Sequence, residues 1–368
     1  MDYFINEPNN EIPLSKTTEI LKNNDAFAYH NSMAVYESTP LVKLNSLAKK
    51  YGIGEIYLKN EAFRFGLNAF KGLGASYAIH KLLQNNPDIE VFCTATDGNH
   101  GRAVAWAAHN AGKKSVVFVP RDTTQNRMIA IEKEGALVLK IDGNYDETCE
   151  YAEKESKKQG WLLVQDTAWD GYEEIPANIM AGYLTHFQEL ENSLHTLPNA
   201  QIDVVFLQAG VGSWAGAAVW YYLNRYGKNR PKLVIVEPYE AAGILASFQA
   251  GKLTAPDGSF ETIMAGLNCG IPSSTAWEII KNGVDASIKI KDFYAKKAMR
   301  ELYFPTGNDE KIIAGESGVG GLAGFMALMN EPNLRDLKDK LGISSTSRIL
   351  FFSTEGATDI DGFNEIVA

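Results

Sequence analysis

Lys71 stands in the segment RFGLNAFKGLGASYA, between Phe70 and Gly72 and just ahead of an apolar, helix-like stretch. Apolar surroundings disfavour an ammonium, so the expectation is a partly desolvated lysine with a depressed pKa, whose neutral amine suits Schiff-base chemistry. Residue type alone favours the plainer alternative of an exposed surface lysine. A second segment, QAGVGSWAG at Gln208–Gly216, ends a β-rich run in a glycine-spaced turn before a helix. The backbone N–H groups of Gly210, Val211, Gly212 and Ser213, aided by the helix dipole, can hold a phosphate there. A tight strand-to-helix turn without a ligand remains open, and Ala215 stands where a dinucleotide fingerprint needs its third glycine.

Three further segments carry polar groups at the ends of apolar runs. TATDGNHG offers Asp97, Asn99 and His100 beside Gly98 and Gly101, which let the backbone approach a ligand closely. Asp97 fits a helix cap equally well, and His100 fits a packed, hydrogen-bonded role, since no second histidine lies near enough in sequence to suggest a metal site. LLVQDTAWDGY offers Asp166, for which a turn-forming aspartate is the alternative. Glu316 in GESGVGG, with Ser353, Thr354 and Glu355 in FFSTEGATD, completes the set, each also readable as a polar loop residue.

The elements that must position these groups alternate. Apolar runs at Val91–Ala95, 115–119, 136–141 and 161–164 are separated by helical patterns near Gly101–Asn110, Gln125–Glu134 and Asp146–Gln159. Strands alternating with helices favour parallel sheets covered on both faces, because each crossover must return over the sheet. A second series follows at 204–208, 232–238, 286–290 and 349–353, and Ile56–Lys59 precedes the first. The expected fold class is therefore α/β, with two open parallel-sheet lobes and the active site between them. Residues 1–85 and 190–368 are read as a large cofactor-binding domain and residues 86–189 as a small inserted one. Ligands of open α/β sheets bind beyond the carboxyl ends of the strands, and every segment singled out above sits at such an end.

Composition narrows the partners. The 45 acidic and 35 basic residues give a formal charge of -10, a surface that repels a phosphate backbone, so nucleic acid is not expected. Val204–Asn224 has no charged residue and is long enough to span a membrane, but Gly210, Gly212 and Gly216 interrupt it, so it reads as strand, turn and helix and no membrane is expected. The three cysteines, Cys93, Cys149 and Cys269, fit neither a disulfide framework nor a zinc site. With a start, MDYFINEPNN, that lacks the features of a secretory signal, this points to a cytoplasmic protein without a metal.

Taken together, FGLNAFKGLG, TATDGNHGRAVAWAA, LLVQDTAWDGY, LQAGVGSWAG, IMAGLNCG, GNDEKIIAGESG and FSTEGATD resemble, in order and across nearly the whole chain, the tryptophan-synthase-like fold type II pyridoxal-phosphate enzymes. Within them the likeness is to the diaminopropionate ammonia-lyase family. That resemblance implies pyridoxal 5'-phosphate bound covalently to Lys71, a hydrogen bond from Asn99 to its phenolic oxygen, a phosphate cradle at Gly210, Val211, Gly212 and Ser213, and Ser353 beside its pyridine nitrogen. It implies an elimination from 2,3-diaminopropionate giving pyruvate and ammonia, with Lys71 as base for the L-isomer, Asp97 as base for the D-isomer, and Asp166 binding or protonating the departing amine. It also implies a homodimer. Cys269 matches a cysteine that pairs in some members, but Ala242–Gly243 stand where its partner is expected, so no disulfide follows. Trp214 departs from the smaller residues common in the phosphate turn, with a reshaped pocket as the expected consequence. Two readings compete. One is a serine or threonine dehydratase, or another β-eliminating lyase of the same fold, which Asp97 disfavours because those dehydratases usually carry a small hydroxyl residue there. The other is a nucleotide-binding dehydrogenase or a small-molecule binding module without pyridoxal phosphate.

Overall fold

The protein is described by a computed structural model covering residues 2–96, 98–197 and 201–368. Its strands, in chain order, are β1 (Tyr3–Ile5), β2 (Leu41–Lys43), β3 (Glu55–Asn60), β4 (Val91–Ala95), β5 (Lys114–Val119), β6 (Leu137–Lys140), β7 (Leu162–Leu163), β8 (Val204–Gln208), β9 (Lys232–Pro238), β10 (Ala286–Ile290) and β11 (Arg348–Ser353). They form a seven-stranded sheet in the order β1-β10-β9-β8-β11-β3-β2 and a four-stranded sheet in the order β6-β5-β4-β7. All pairings are parallel except those of β1 and β2, the short antiparallel edges of the large sheet.

The inner strands are apolar throughout because both faces are covered. Val204, Val205, Phe206 and Leu207 of β8 are all buried, as are Leu233 to Val236 of β9 and Ile349 to Phe352 of β11. This is what a parallel sheet with helices on both sides demands of its strands. Chain reversal fixes where ligands can sit. From β8 the chain proceeds to β9 on one side, while the other neighbour of β8 is β11, the last strand, so a crevice opens beyond their carboxyl ends. The apolar segment from Val204 accordingly divides into β8, a turn and the helix Ser213–Tyr226. Among the described residues no helix is long and apolar enough to cross a membrane.

Helices from different parts of the chain join the two sheets. Lys71–Asn85 packs closely on Glu174–His195 because both lack side chains at the crossing. A Cβ at Gly182 would lie 2.4 Å from the Leu73 carbonyl oxygen, and one at Gly74 would lie 2.5 Å from the Tyr183 ring. This close approach sets the height at which Lys71, the first residue of its helix, enters the crevice.

Candidate active site

A cleft of about 810 Å³, counting its open mouth, gathers the residues that the sequence scatters. Its wall includes Lys71, Asn99, His100, Asp166, the turn from Gly210 to Ser213, and Thr354 with Glu355. Each comes from the carboxyl end of a strand or the start of a helix. Asp97 lies outside the described residues.

Lys71 Nζ donates to Asp166 Oδ2 and sits 5.5 Å from the centre of the Phe70 ring. The expected depression of its pKa does not occur. Burial does pull the lysine down, but the Asp166 carboxylate in direct contact more than offsets it, so Lys71 is held above its ordinary value. Asp166 is 4% exposed, and although burial pushes its carboxyl up, His100 and Lys71 draw it down to about 2. The Asp166 backbone is pinned as well, its carbonyl accepting the Ser213 hydroxyl at 2.5 Å. That bond ties the acid to the first residue of the helix Ser213–Tyr226.

His100 serves both roles left open for it. Its Nε2 donates to the Val164 carbonyl at 2.8 Å, a structural bond, and the opposite ring edge places Nδ1 3.7 Å from Asp166 Oδ2 on the cleft wall. Burial lowers its pKa. Asn99 Nδ2 donates to Glu355 Oε2, while Glu355 Oε1 accepts the Ser317 N–H at 3.0 Å. Behind this pair Arg127 Nη2 meets Glu316 Oε1 at 3.2 Å, and burial together with the Glu355 charge raises the Glu316 carboxyl to about 7. At the start of the Asn99 helix the Thr96 hydroxyl accepts the N–H groups of Gly98 and Gly101.

Ser353 lies off the cleft wall. It is buried, and its hydroxyl donates to the Glu355 carbonyl at 3.3 Å rather than facing the cleft, where Thr354 stands instead. The pleat explains this, since successive side chains of β11 alternate between faces. Phe351 packs on Phe206 and Phe325 of one core, whereas Phe352 packs on Trp214 and His186 of the other, so Ser353 follows Phe351 and Thr354 follows Phe352. Thr354 Oγ1 accepts Gln208 Nε2 at 2.9 Å. Gln208, the last residue of β8, and Thr354, the first beyond β11, are therefore wall residues to which the sequence reading gave no role; a polar residue closing an apolar strand is the signal that could have found them.

The glycine turn has the form of an anion cradle. Gly212 has φ +91°, a conformation that L side chains rarely adopt, and a Cβ at Gly210 would come within 2.9 Å of Cys269 Sγ and 3.2 Å of the Gly266 carbonyl oxygen. The turn leads into the helix Ser213–Tyr226, whose first-turn N–H groups have no carbonyl one turn back to bond. A phosphate at this turn and an aldehyde at Lys71 fit the residues present, so the cleft suits pyridoxal phosphate. Trp214 also lines the cleft, and its ring packs against Phe70, Phe187 and Phe352 of the core.

Comparison with known proteins agrees with this geometry. Residues 33–345 match the family described as pyridoxal-phosphate dependent enzyme. The chain is 39% identical over 367 residues to diaminopropionate ammonia-lyase of Salmonella typhimurium, covering 93% of this chain and 91% of that protein. It is 40% identical over 356 residues to that of Escherichia coli, covering 92% and 89%. Among solved structures it is similar to the Escherichia coli diaminopropionate ammonia lyase in complex with an aminoacrylate-PLP azomethine reaction intermediate, with TM-score 0.92 and 38% identity over 100% of this chain and 96% of that one. Threonine deaminase isoform 2 from Solanum lycopersicum, at TM-score 0.79 and 19% identity over 99% and 96% of the two chains, shares the fold. The chain belongs to the fold type II pyridoxal-phosphate-dependent enzymes and, within them, to the diaminopropionate ammonia-lyase family.

Proposed function

We propose that this protein is a pyridoxal-phosphate-dependent carbon–nitrogen lyase that converts 2,3-diaminopropionate to pyruvate and ammonia. The observation that carries the substrate assignment is the contact between Asp166 and the Lys71 ammonium. Asp166 is buried, ionised and already shaped to hold a primary ammonium. The β-amino group of diaminopropionate is the same chemical group, and it becomes the partner of Asp166 once the lysine nitrogen is engaged by the cofactor.

Bound in the cleft, pyridoxal phosphate supplies the electron sink that makes loss of an α-proton and a β-leaving group accessible. The chain does the rest. Gly210, Val211, Gly212 and Ser213 would hold the phosphate, and Asn99, its amide held by Glu355, would meet the ring. Lys71 Nζ takes the α-proton from the L-isomer and Asp97 takes it from the D-isomer on the opposite face. Asp166 orients the β-ammonium, which already carries the proton it needs to depart as ammonia. Thr354, rather than Ser353, lines the cleft beyond the end of β11 and would meet the ring nitrogen there, where a neutral hydroxyl supplies no anionic partner. We further propose a large domain of residues 1–85 and 190–368, a small domain of residues 86–189, a homodimer, and residence in the cytoplasm.

The test is release of pyruvate and ammonia from each isomer of diaminopropionate, from serine and from threonine by purified protein, together with hydride reduction and peptide mass mapping. Diaminopropionate is expected to be the fastest substrate and Lys71 to carry the reduced cofactor. Faster turnover of serine would overturn the substrate, and an adduct elsewhere would overturn the site.

A further inference from the structure

His186 lies on the helix Glu174–His195, is fully buried, and is absent from the cleft wall. Its Nε2 receives the Trp214 Nε1–H at 3.0 Å. An indole N–H can only donate, so Nε2 is bare and the imidazole proton resides on Nδ1. Nδ1 points to Glu61 Oε2, 3.7 Å away and the nearest anion. Burial holds the ring below the ordinary histidine range, so it is neutral and its single proton is directed toward Glu61.

Glu61 cannot move to suit the ring. Thr39 Oγ1 donates to its Oε1 at 2.5 Å, and Arg64 binds both its oxygens through Nε at 2.9 Å and Nη2 at 3.0 Å. Arg64 and Lys59 both bond Glu189, closing a cluster of two buried cations and two buried carboxylates. His186 thus has a rigid ionic cluster on one side, 3.7 Å away and not hydrogen-bonded to it.

On its other side the imidazole touches three aromatic rings, with centroids 6.2 Å to Phe70, 5.9 Å to Trp214 and 5.6 Å to Phe352. Phe70 immediately precedes Lys71. Trp214 is the second residue of the helix that follows the phosphate turn, and Phe352 lies two residues before Thr354 on the same face of β11. One side chain therefore contacts three of the chain segments that deliver site groups to the cleft.

We propose that His186, set in its Nδ1–H form by the Trp214 N–H, is a positioning residue that locks the lysine, the phosphate turn and the Thr354 strand end in register through Phe70, Trp214 and Phe352. It touches neither cofactor nor substrate. This rests on the cofactor reading above, and its signature is retention of the cofactor rather than the chemistry of the loaded enzyme.

Two substitutions in the full-length holoenzyme separate this role from simple packing. His186→Phe fills the slot but strands the Trp214 N–H. His186→Gln packs less well, but its carbonyl accepts from Trp214 while its amide donates toward Glu61. Release of pyridoxal phosphate is followed by absorbance during dialysis, with tryptophan emission recorded in parallel. The Phe variant is expected to release cofactor about tenfold faster, the fold-change equivalent to about 1.4 kcal/mol for one buried donor left without an acceptor. The Gln variant is expected to stay within about threefold of the parent, keeping most of that bond. Equal release from parent and Phe variant, or a Gln variant as leaky as the Phe variant, overturns the proposal. Should substitution of His186 prevent folding, Trp214→Phe removes the donor from the other end, and cofactor release at the parent rate overturns the proposal equally. A parent protein that takes up no pyridoxal phosphate on Lys71 overturns the cofactor reading itself, a result distinct from any ranking of the variants.

Discussion

Replacing Asp166 with Asn should make Lys71 a faster trap for pyridoxal phosphate while crippling turnover. The carboxylate contacts Lys71 Nζ, and it is the principal influence that holds the lysine above its ordinary value against the opposing pull of burial. Two unit charges near 4 Å interact by about 4 kcal/mol at an effective dielectric of 20, equivalent to about three pKa units. An asparagine of the same shape removes that attraction, so the variant lysine should titrate well below the parent lysine. Capture of an aldehyde requires the neutral amine, and below the pKa the neutral fraction falls tenfold per pH unit. The variant should therefore present on the order of 100-fold more neutral amine at pH 7.5, even if part of the three-unit effect is lost to solvent screening. Stopped-flow absorbance on cofactor-free, full-length protein from pH 6 to pH 9 reads this directly. Both rates should climb about tenfold per unit throughout, because both folded-state pKa values lie above the window, with the variant about 100-fold faster at every pH. Turnover of diaminopropionate should fall by about 10²- to 10⁴-fold, the usual contribution of a positioned acid or base. Capture no faster than in the parent would refute the electrostatic reasoning, whatever happened to turnover.

Gly210→Ala should weaken cofactor binding by at least about tenfold in equilibrium dialysis, because the new methyl would meet Cys269 Sγ at 2.9 Å inside the phosphate cradle; unchanged affinity would place the phosphate elsewhere. Glu189→Leu should cost about 3–5 kcal/mol in urea unfolding, since Lys59 and Arg64 would share one remaining buried carboxylate, and a loss below about 1 kcal/mol would mean that water or other groups satisfy them. Asp97→Asn should slow the D-isomer selectively and spare the L-isomer in the pyruvate assay, whereas equal losses would remove the two-base assignment.

The strands that carry the site were legible because inner strands of a covered parallel sheet must be apolar along their length, and runs such as Val204–Gln208 and Lys232–Pro238 stand out for that reason. The edges β1 and β2, three residues each, are too short for any period to register. The same continuity that reveals β11 conceals its orientation. Phe351 and Phe352 are both buried, so nothing in the sequence says which face Ser353 shares, and a shift of one residue exchanges it with Thr354. Lys71 was legible as a candidate from its neighbours, but its protonation was not, because Asp166 lies 95 positions away in the chain. The cluster of Lys59, Glu61, Arg64 and Glu189 went unread for a similar reason. Three of its members look like an ordinary charged strand end, and only the fold brings Glu189 to them.

The Asp166 contact also bears on why this scaffold should prefer an amine to a hydroxyl as leaving group. A hydrogen bond to a charged partner is worth about 1.5–3 kcal/mol net, against about 0.5–1.5 kcal/mol for a neutral one, so an ionised Asp166 favours a β-ammonium over the β-hydroxyl of serine by about 1 kcal/mol or more. That difference is about fivefold or more in binding alone. It exists only while Asp166 is ionised, and His100 and Lys71 draw its carboxyl down to about 2. Once the lysine nitrogen is engaged by the cofactor, we propose that a substrate ammonium takes over the part that the lysine ammonium plays in this structure. Recognition of the substrate thus reuses an electrostatic arrangement that the folded chain already needs in order to keep Asp166 charged in a buried place.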